Sequence, residues 1–422
     1  MPETKRESQM GLRLDFPHKM QATLSLPGSK SIAARALILS ALSGKHSVHN
    51  LSDCDDTQAL RKALTSESEV VDIGAAGTAM RFLTAYFATQ PNTCHVLTGT
   101  QRMQQRPISI LVETLQTLGA DITYTKEIGY PPLLIRGKEI RGGEVRLCAE
   151  VSSQYISALL MVGPVLKDGL RLQLEGNITS RPYIEMTLGL MREFGAKVDW
   201  SGENTIIVFP NGYHREDDFM VEPDWSAASY WYEMMALSDD PEATIHLPHL
   251  RRESWQGDSM VCDLFQHLGV TTCFNAQGVT LRKKTFSPAK EVWKVDFSQC
   301  PDLAQTLTVT CALLQQPFHF TGLHTLRIKE TDRITALATE LRKLGICLKT
   351  TDAEILYDGA LQEDLGNADI AIDTYEDHRM AMSFAPAAMR HPNLRILHPE
   401  VVSKSYPTFW QDCQTAGIQL QE

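Results

Sequence analysis

A glycine recurs at Gly119, Gly195, Gly269, Gly345 and Gly417, roughly 75 residues apart, each time between a helix-like run and a strand-like one. The flanking residues repeat too: Leu118-Gly119-Ala120-Asp121-Ile122, Phe194-Gly195-Ala196-Lys197-Val198, Leu268-Gly269-Val270, Leu344-Gly345-Ile346 and Ala416-Gly417-Ile418. Glycine just past a helix takes the left-handed conformation that other residues resist, so each position predicts a helix end. Read backwards from each glycine, one unit emerges: helix A, a short strand, helix B, the glycine, then two or three strands.

In the second copy the pattern predicts helix A over Thr78–Thr89, a strand over His95–Leu97 and helix B over Pro107–Leu118. Strands follow over Asp121–Thr125, Pro132–Arg136 and Glu144–Leu147. Other A helices are expected to begin near Ser153, Ser226, Leu303 and Arg379, and B helices near Arg181, Asp258, Lys329 and Ser405. A shorter first copy places helix A over Ser31–Leu42 and helix B near Asp55–Leu64, with no glycine after it. Helix-glycine-strand occurs in many α/β proteins, so the constant spacing and shared order carry the inference. Six copies suggest two α/β domains of three, helices packed under short sheets, with a boundary near Val221–Trp225.

A chain of 422 residues is too long for a single core. Its formal net charge of -11 gives no general attraction for nucleic acid or an acidic membrane, so an anionic ligand would need a local cationic pocket. The nine cysteines contain no C-x-x-C pair, which suggests reduced thiols and a cytoplasmic protein. No signal-like start and no apolar run of membrane-spanning length is present. The thirteen histidines are dispersed, so no metal site is expected; nor does a hydrolase elbow or a dinucleotide glycine turn occur.

Helix N-termini carry partial positive charge and favour Asp, Glu, Ser or Thr. Here the predicted starts carry cations: Lys30, Arg102 and Arg106, Arg181, Lys329, Arg379 and Lys404. Any one could be a solvated surface charge, but the recurrence suggests bound anions, held also by backbone N–H groups. Pro27-Gly28-Ser29-Lys30-Ser31 enters a helix on which Arg35 follows Ser31 by one turn, so one anion could meet Lys30, Ser31 and Arg35. It is not a Walker A loop. Gly74-Ala75-Ala76-Gly77-Thr78, Ser152-Ser153-Gln154 and Thr179-Ser180-Arg181-Pro182 are further candidate turns, each readable alone as a simple cap. Asp302 reads as an N-cap or a proton-transfer group, and Glu330, within Arg327-Ile328-Lys329-Glu330-Thr331-Asp332-Arg333, as a solvated face or a general acid or base.

Together, Leu26-Pro27-Gly28-Ser29-Lys30-Ser31, Gly77-Thr78-Ala79-Met80-Arg81, Arg102-Met103 with Arg106-Pro107, Ser152-Ser153-Gln154, Lys329-Glu330-Thr331-Asp332-Arg333 and Asp377-His378-Arg379-Met380-Ala381-Met382 resemble the 5-enolpyruvylshikimate-3-phosphate synthase family. The resemblance runs in order through nearly the whole chain. It implies the two-domain enolpyruvyl transferase fold, with residues 20–222 in one domain and 1–19 with 223–422 in the other, and an active site in the interdomain cleft. It also implies transfer of the enolpyruvyl group of phosphoenolpyruvate to the 5-hydroxyl of shikimate 3-phosphate, by a monomer without cofactor, metal, nucleic-acid or membrane partner.

Carried over by position, the resemblance implies that Lys30, Ser31, Arg35, Ser152, Ser153, Ser180, Tyr183, Asp302 and Lys329 hold shikimate 3-phosphate. Phosphoenolpyruvate would meet Lys30, Gly77, Arg106, Gln154, Arg333, Arg379 and Lys404. Asp302 would act as base and Glu330 as acid, with Lys30 also in the catalytic set. Ala75, Phe82 and Thr325 depart from the family pattern, standing where asparagine, proline and asparagine are common. Two other readings are the sister enzyme acting on UDP-N-acetylglucosamine and a non-catalytic sensor of phosphorylated metabolites. The first usually carries a reactive cysteine on a mobile loop, and no cysteine lies between Thr98 and Arg106.

Overall fold

All five repeated glycines close a helix in the left-handed region, with φ of 108° at Gly119, 87° at Gly195, 79° at Gly269, 77° at Gly345 and 87° at Gly417. After four of them the next N–H reaches a carbonyl five positions back: Ala120 to Leu115, Ala196 to Met191, Ile346 to Leu341 and Ile418 to Cys413. That bond satisfies a terminal helix carbonyl as the chain turns away. The computed structural model describes residues 11–44, 47–148, 152–176, 178, 181–362 and 368–422.

The elements of the second copy are helices Gly77–Ala88 and Ser109–Thr117 and strands Cys94–Thr98, Asp121–Tyr124 and Leu133–Arg136, close to expectation. Strand Gly143–Cys148 belongs instead to the third copy, because it pairs in parallel with Leu170–Glu175. The first copy holds helices Lys30–Ser43 and Asp55–Leu64, the second ending on Thr65 at φ -106° without a glycine.

Two helix starts differ from the sequence reading. The helix expected near Lys329 begins at Arg333, because the Asp332 side chain accepts from the Thr335 N–H at 3.1 Å and caps it there. The helix expected near Ser405 begins at Phe409: Pro407 disfavours a helical Tyr406, and Pro399–Lys404 forms a separate 3-10 turn. Lys329, Glu330 and Lys404 are therefore turn residues, whereas Arg333 opens its helix.

Five four-stranded sheets among the described residues share one plan. In the second copy Val70–Asp72 runs parallel to Cys94–Thr98 across helix Gly77–Ala88; Leu133–Arg136 and then Asp121–Tyr124 add antiparallel. A parallel pair needs such a crossover, and the helix supplies it. One exchange interrupts the plan. Gln21–Thr23 leads into Lys30–Ser43 yet pairs with Thr244–Pro248, while Phe219–Met220 leads into Trp225–Leu237 yet pairs with Val48–His49. Gly11–Asp15 lies between Leu394–Leu397 and Gln419–Gln421, so the sixth copy is completed by the first described strand.

The chain forms two compact units, one of Pro27–Pro223 with Trp255–Gly257, the other of the residues up to Leu26 with Asp224–Ser254 and Asp258–Glu422. Each has its own apolar core. Central to each core are A helices buried on nearly every side. Trp225–Leu237 is buried at every position but Ser226, and His378–Phe384 throughout. A helix apolar all round belongs inside a core. Its rare charged residues, Arg35, Arg81, Glu233 and Arg379, therefore demand compensation by a partner or a changed protonation state. All nine cysteines are free thiols. Among the described residues no helix is long and apolar enough to cross a membrane, and no group of three or more His, Cys, Asp or Glu could hold a metal ion.

Candidate active site

In the unit Pro27–Pro223, Lys30 is the first residue of helix Lys30–Ser43, capped by Ser29, and its Nζ lies 2.9 Å from Asp56 Oδ2. One turn along, Arg35 is 2% exposed. Its Nε donates to Thr187 Oγ1 at 2.7 Å, Nη1 to the Ser31 carbonyl at 2.8 Å, and Nη2 to Ser157 Oγ at 3.0 Å and the Tyr183 carbonyl at 3.4 Å. All four acceptors are neutral. The guanidinium also sits 5.5 Å from the Phe82 ring and 6.0 Å from that of Tyr183. Burial pulls its pKa down to about 10, with Tyr183 opposing. A desolvated cation bonded only to neutral groups favours an anion beside it.

A second buried arginine repeats this arrangement at the glycine turn. Arg81 donates to the Gly77 carbonyl at 3.1 Å and the Pro107 carbonyl at 3.3 Å, and lies 5.9 Å from the Tyr155 ring. Burial, and then the charge of Arg106, pull it down to about 10. Arg106 lies against Gly77 so closely that an added Cβ would come within 2.5 Å of its Nη1. Gln154 reaches the same turn, its Nε2 donating to Thr78 Oγ1 at 3.1 Å, and Ser152 caps the helix that carries Gln154 and Ser153. The structure thus gathers Gly77, Arg106 and Gln154, and it adds Arg81. A lone arginine in the apolar helix Gly77–Ala88 was the available signal for that residue.

The second unit holds an acid–base network. Asp302 shares its carboxylate among three cations: Oδ1 lies 3.2 Å from Arg333 Nη1 and 3.7 Å from Lys329 Nζ, and Oδ2 lies 3.1 Å from Arg379 Nη2. Arg333, 2% exposed in its side chain, also binds Glu330 at 2.9 Å and the fully buried Asp377 at 2.7 Å. Burial opposes its charge, but Asp377, Glu330 and Asp302 outweigh burial and raise its pKa above the ordinary arginine value. Asp377 also caps helix His378–Phe384 through the Arg379 N–H. Sequence reading passed over Asp377, although an Asp directly before a buried helix is an N-cap signal. Lys404 Nζ donates to the Glu376 carbonyl at 2.6 Å. That carbonyl follows Tyr375, and both residues have positive φ, 53° and 55°. Two non-glycine residues in that region are strained, and Lys404 helps hold them.

Not every expected cation points to these groups. Arg181 lies 4.5 Å from the Trp200 ring and pairs with Glu185 at 3.3 Å. Ser180 lies outside the described residues. Thr325 presents a buried hydroxyl without a hydrogen-bond partner. The two units differ in electrostatics: one buries arginines among neutral acceptors, the other balances arginines against carboxylates. The first arrangement suits anion binding and the second proton transfer.

Solved structures share this architecture. An EPSP synthase from Acinetobacter baumannii aligns with a TM-score of 0.80 at 23% identity, over 98% of this chain and 100% of that one. The enolpyruvyl transferase NikO from Streptomyces tendae aligns with a TM-score of 0.72 at 16% identity, over 97% and 98%. The fold is that of the enolpyruvyl transferases. The family model for EPSP synthase (3-phosphoshikimate 1-carboxyvinyltransferase) matches residues 14–66 and 59–413. A 3-phosphoshikimate 1-carboxyvinyltransferase of Bacteroides fragilis (strain YCH46) is 55% identical over 410 residues, 97% of this chain and 98% of that protein. The chain belongs to the EPSP synthase family.

Proposed function

We propose that the protein transfers the enolpyruvyl group of phosphoenolpyruvate to the 5-hydroxyl of shikimate 3-phosphate, releasing phosphate. The observation that carries the reading is the Asp302 carboxylate, shared by Arg333, Arg379 and Lys329. A base so placed meets a hydroxyl amid the cations that would hold an anionic co-substrate. Lys30, Ser31, Arg35, Ser152, Ser153, Ser180, Tyr183 and Lys329 bind shikimate 3-phosphate; Lys30, Gly77, Arg106, Gln154, Arg333, Arg379 and Lys404 bind phosphoenolpyruvate. Buried Arg35 and Arg81, bonded to neutral acceptors, support the anionic substrates.

Asp302 takes the hydroxyl proton as the oxygen attacks C2 of phosphoenolpyruvate, and Glu330 delivers a proton to C3. The resulting tetrahedral ketal phosphate returns a C3 proton to the Glu330 carboxylate as the C2–O bond to phosphate breaks, and the phosphate leaves with the proton that Asp302 had taken. Cations receive the charge on the departing phosphate. Glu330 is ion-paired with Arg333 at 2.9 Å. Its proton-donating form requires that pair to loosen, and an anion on Arg333 would loosen it. The nine free thiols support a cytoplasmic setting, and we read the working form as a monomer.

Purified protein mixed with the two substrates is expected to release phosphate in equal amount to the enolpyruvyl product. Turnover of phosphoenolpyruvate only when UDP-N-acetylglucosamine replaces shikimate 3-phosphate points to the sister activity, and binding of both substrates without turnover points to a sensor.

A further inference from the structure

Beside the acid–base network lies a further buried carboxyl to which the transfer gives no role. Asp258, 5% exposed, lies in the 3-10 turn Gly257–Met260 and accepts a hydrogen bond from the Ser226 hydroxyl. The same hydroxyl accepts from Arg379 Nη2 at 3.4 Å, and that nitrogen lies 3.1 Å from Asp302 Oδ2. One guanidinium nitrogen therefore serves two carboxyls, Asp302 directly and Asp258 through one hydroxyl. Tyr230, one turn beyond Ser226, accepts from Arg379 Nη1 at 3.4 Å. The groups facing Asp258 are Asp224 and Ser226 at the start of Trp225–Leu237, Cys300 and Asp302 in the turn before Ala304–Leu313, and Arg379 from His378–Phe384. Of these, Arg379 alone is cationic.

We infer that Asp258 is a positioning residue for the transfer: through Ser226 it shares the Arg379 guanidinium with Asp302 and so keeps that guanidinium available to an incoming anion. The inference rests on the function proposed above. Two carboxyls around one cation each weaken the other's claim on it, and the second negative charge raises the proton affinity of the first. Burial, and then the charge of Asp302, push Asp258 up to about 7, while Arg379 and Ser226 oppose. The charge that Asp258 places on the Ser226–Arg379 link therefore changes with pH. Sharing also limits the grip of Asp302 on Arg379, leaving that guanidinium available to an incoming anion.

The deciding variant is Asp258→Asn, which keeps the volume and can accept the Ser226 hydroxyl but removes the charge. KM for phosphoenolpyruvate should rise several-fold in Asp258→Asn, because Asp302 alone then holds Arg379. In wild type that KM should also change with pH as the Asp258 carboxyl, followed by side-chain 13C NMR in the full-length protein, takes up its proton, and Asp258→Asn should lose this component of the pH profile. Ser226→Ala keeps the charge and cuts the link, so KM should rise with little change in the titration. Wild-type protein that binds both substrates without turnover overturns the proposed function, whereas an unchanged KM for phosphoenolpyruvate and an unchanged pH profile in Asp258→Asn overturn the role of Asp258, even if Tm falls.

Discussion

Arg106 fills the space in front of Gly77, where a methyl group would stand 2.5 Å from Nη1 and 3.1 Å from Cζ. The contact is with the end of a flexible side chain, so Gly77→Ala can fold by pushing the guanidinium aside. We expect KM for phosphoenolpyruvate to rise about tenfold, a loss of about 1.4 kcal/mol. Affinity for shikimate 3-phosphate and Tm should stay near wild type. Steady-state kinetics with each substrate varied in turn checks this, and an unchanged KM would show that the Arg106 position is immaterial.

Asp377 and Arg333 form a buried ion pair in which neither side chain is more than 2% exposed. Asp377→Ala would leave a buried guanidinium short of a partner and uncap the helix that carries Arg379. Losing one member of such a pair costs about 3–5 kcal/mol. Urea unfolding should register most of that loss; a change below about 1 kcal/mol would mean that Glu330 and Asp302 suffice.

Asp302→Asn keeps the size of the proposed base and removes its ability to take a proton. Turnover is expected to fall by roughly 10²–10⁴-fold, the usual contribution of a positioned base. Calorimetric titration should still detect both substrates. Binding lost with turnover retained would instead assign Asp302 to substrate binding alone.

Glu233, fully buried in the core helix Trp225–Leu237, has its pKa pushed well above the ordinary 4.5 by burial, with the Thr310 hydroxyl opposing. Above pH 4.5 the unfolded chain releases this proton while the folded chain keeps it. Glu233 therefore contributes a stability that is full below pH 4.5 and declines as pH rises toward the folded value. Glu233→Gln should remove that part of the slope, making the variant relatively more stable at high pH than at low. Parallel stability–pH curves for the two proteins would mean that Glu233 is charged in the fold.

What the sequence revealed was local, and what it concealed was pairing. Gly119 and its four counterparts announced helix ends because a single backbone constraint operates there whatever the surroundings. The start at Arg333 was missed because Asp332, Glu330 and Lys329 compete for one turn, and the cap bond to Thr335 decides among them. Strand Gly143–Cys148 looked like the last strand of one copy because length and composition do not state a partner. At the site, cations at turns were legible by position. Arg81 and Asp377 carried faint local signals, but they and Asp258 acquire their meaning from burial and from the groups each one meets.

Gly11–Asp15 pairs on one side with Leu394–Leu397 and on the other with Gln419–Gln421. During synthesis this strand emerges early and must wait, its edges open, until residues near 397 and then 421 leave the ribosome. Pro27–Pro223, nearly contiguous, can assemble most of its contacts in the meantime. The two units therefore mature at different times, and the acid–base network is the late one: Arg333, Arg379 and Asp302 acquire their surroundings only after the buried arginines Arg35 and Arg81 are already in place.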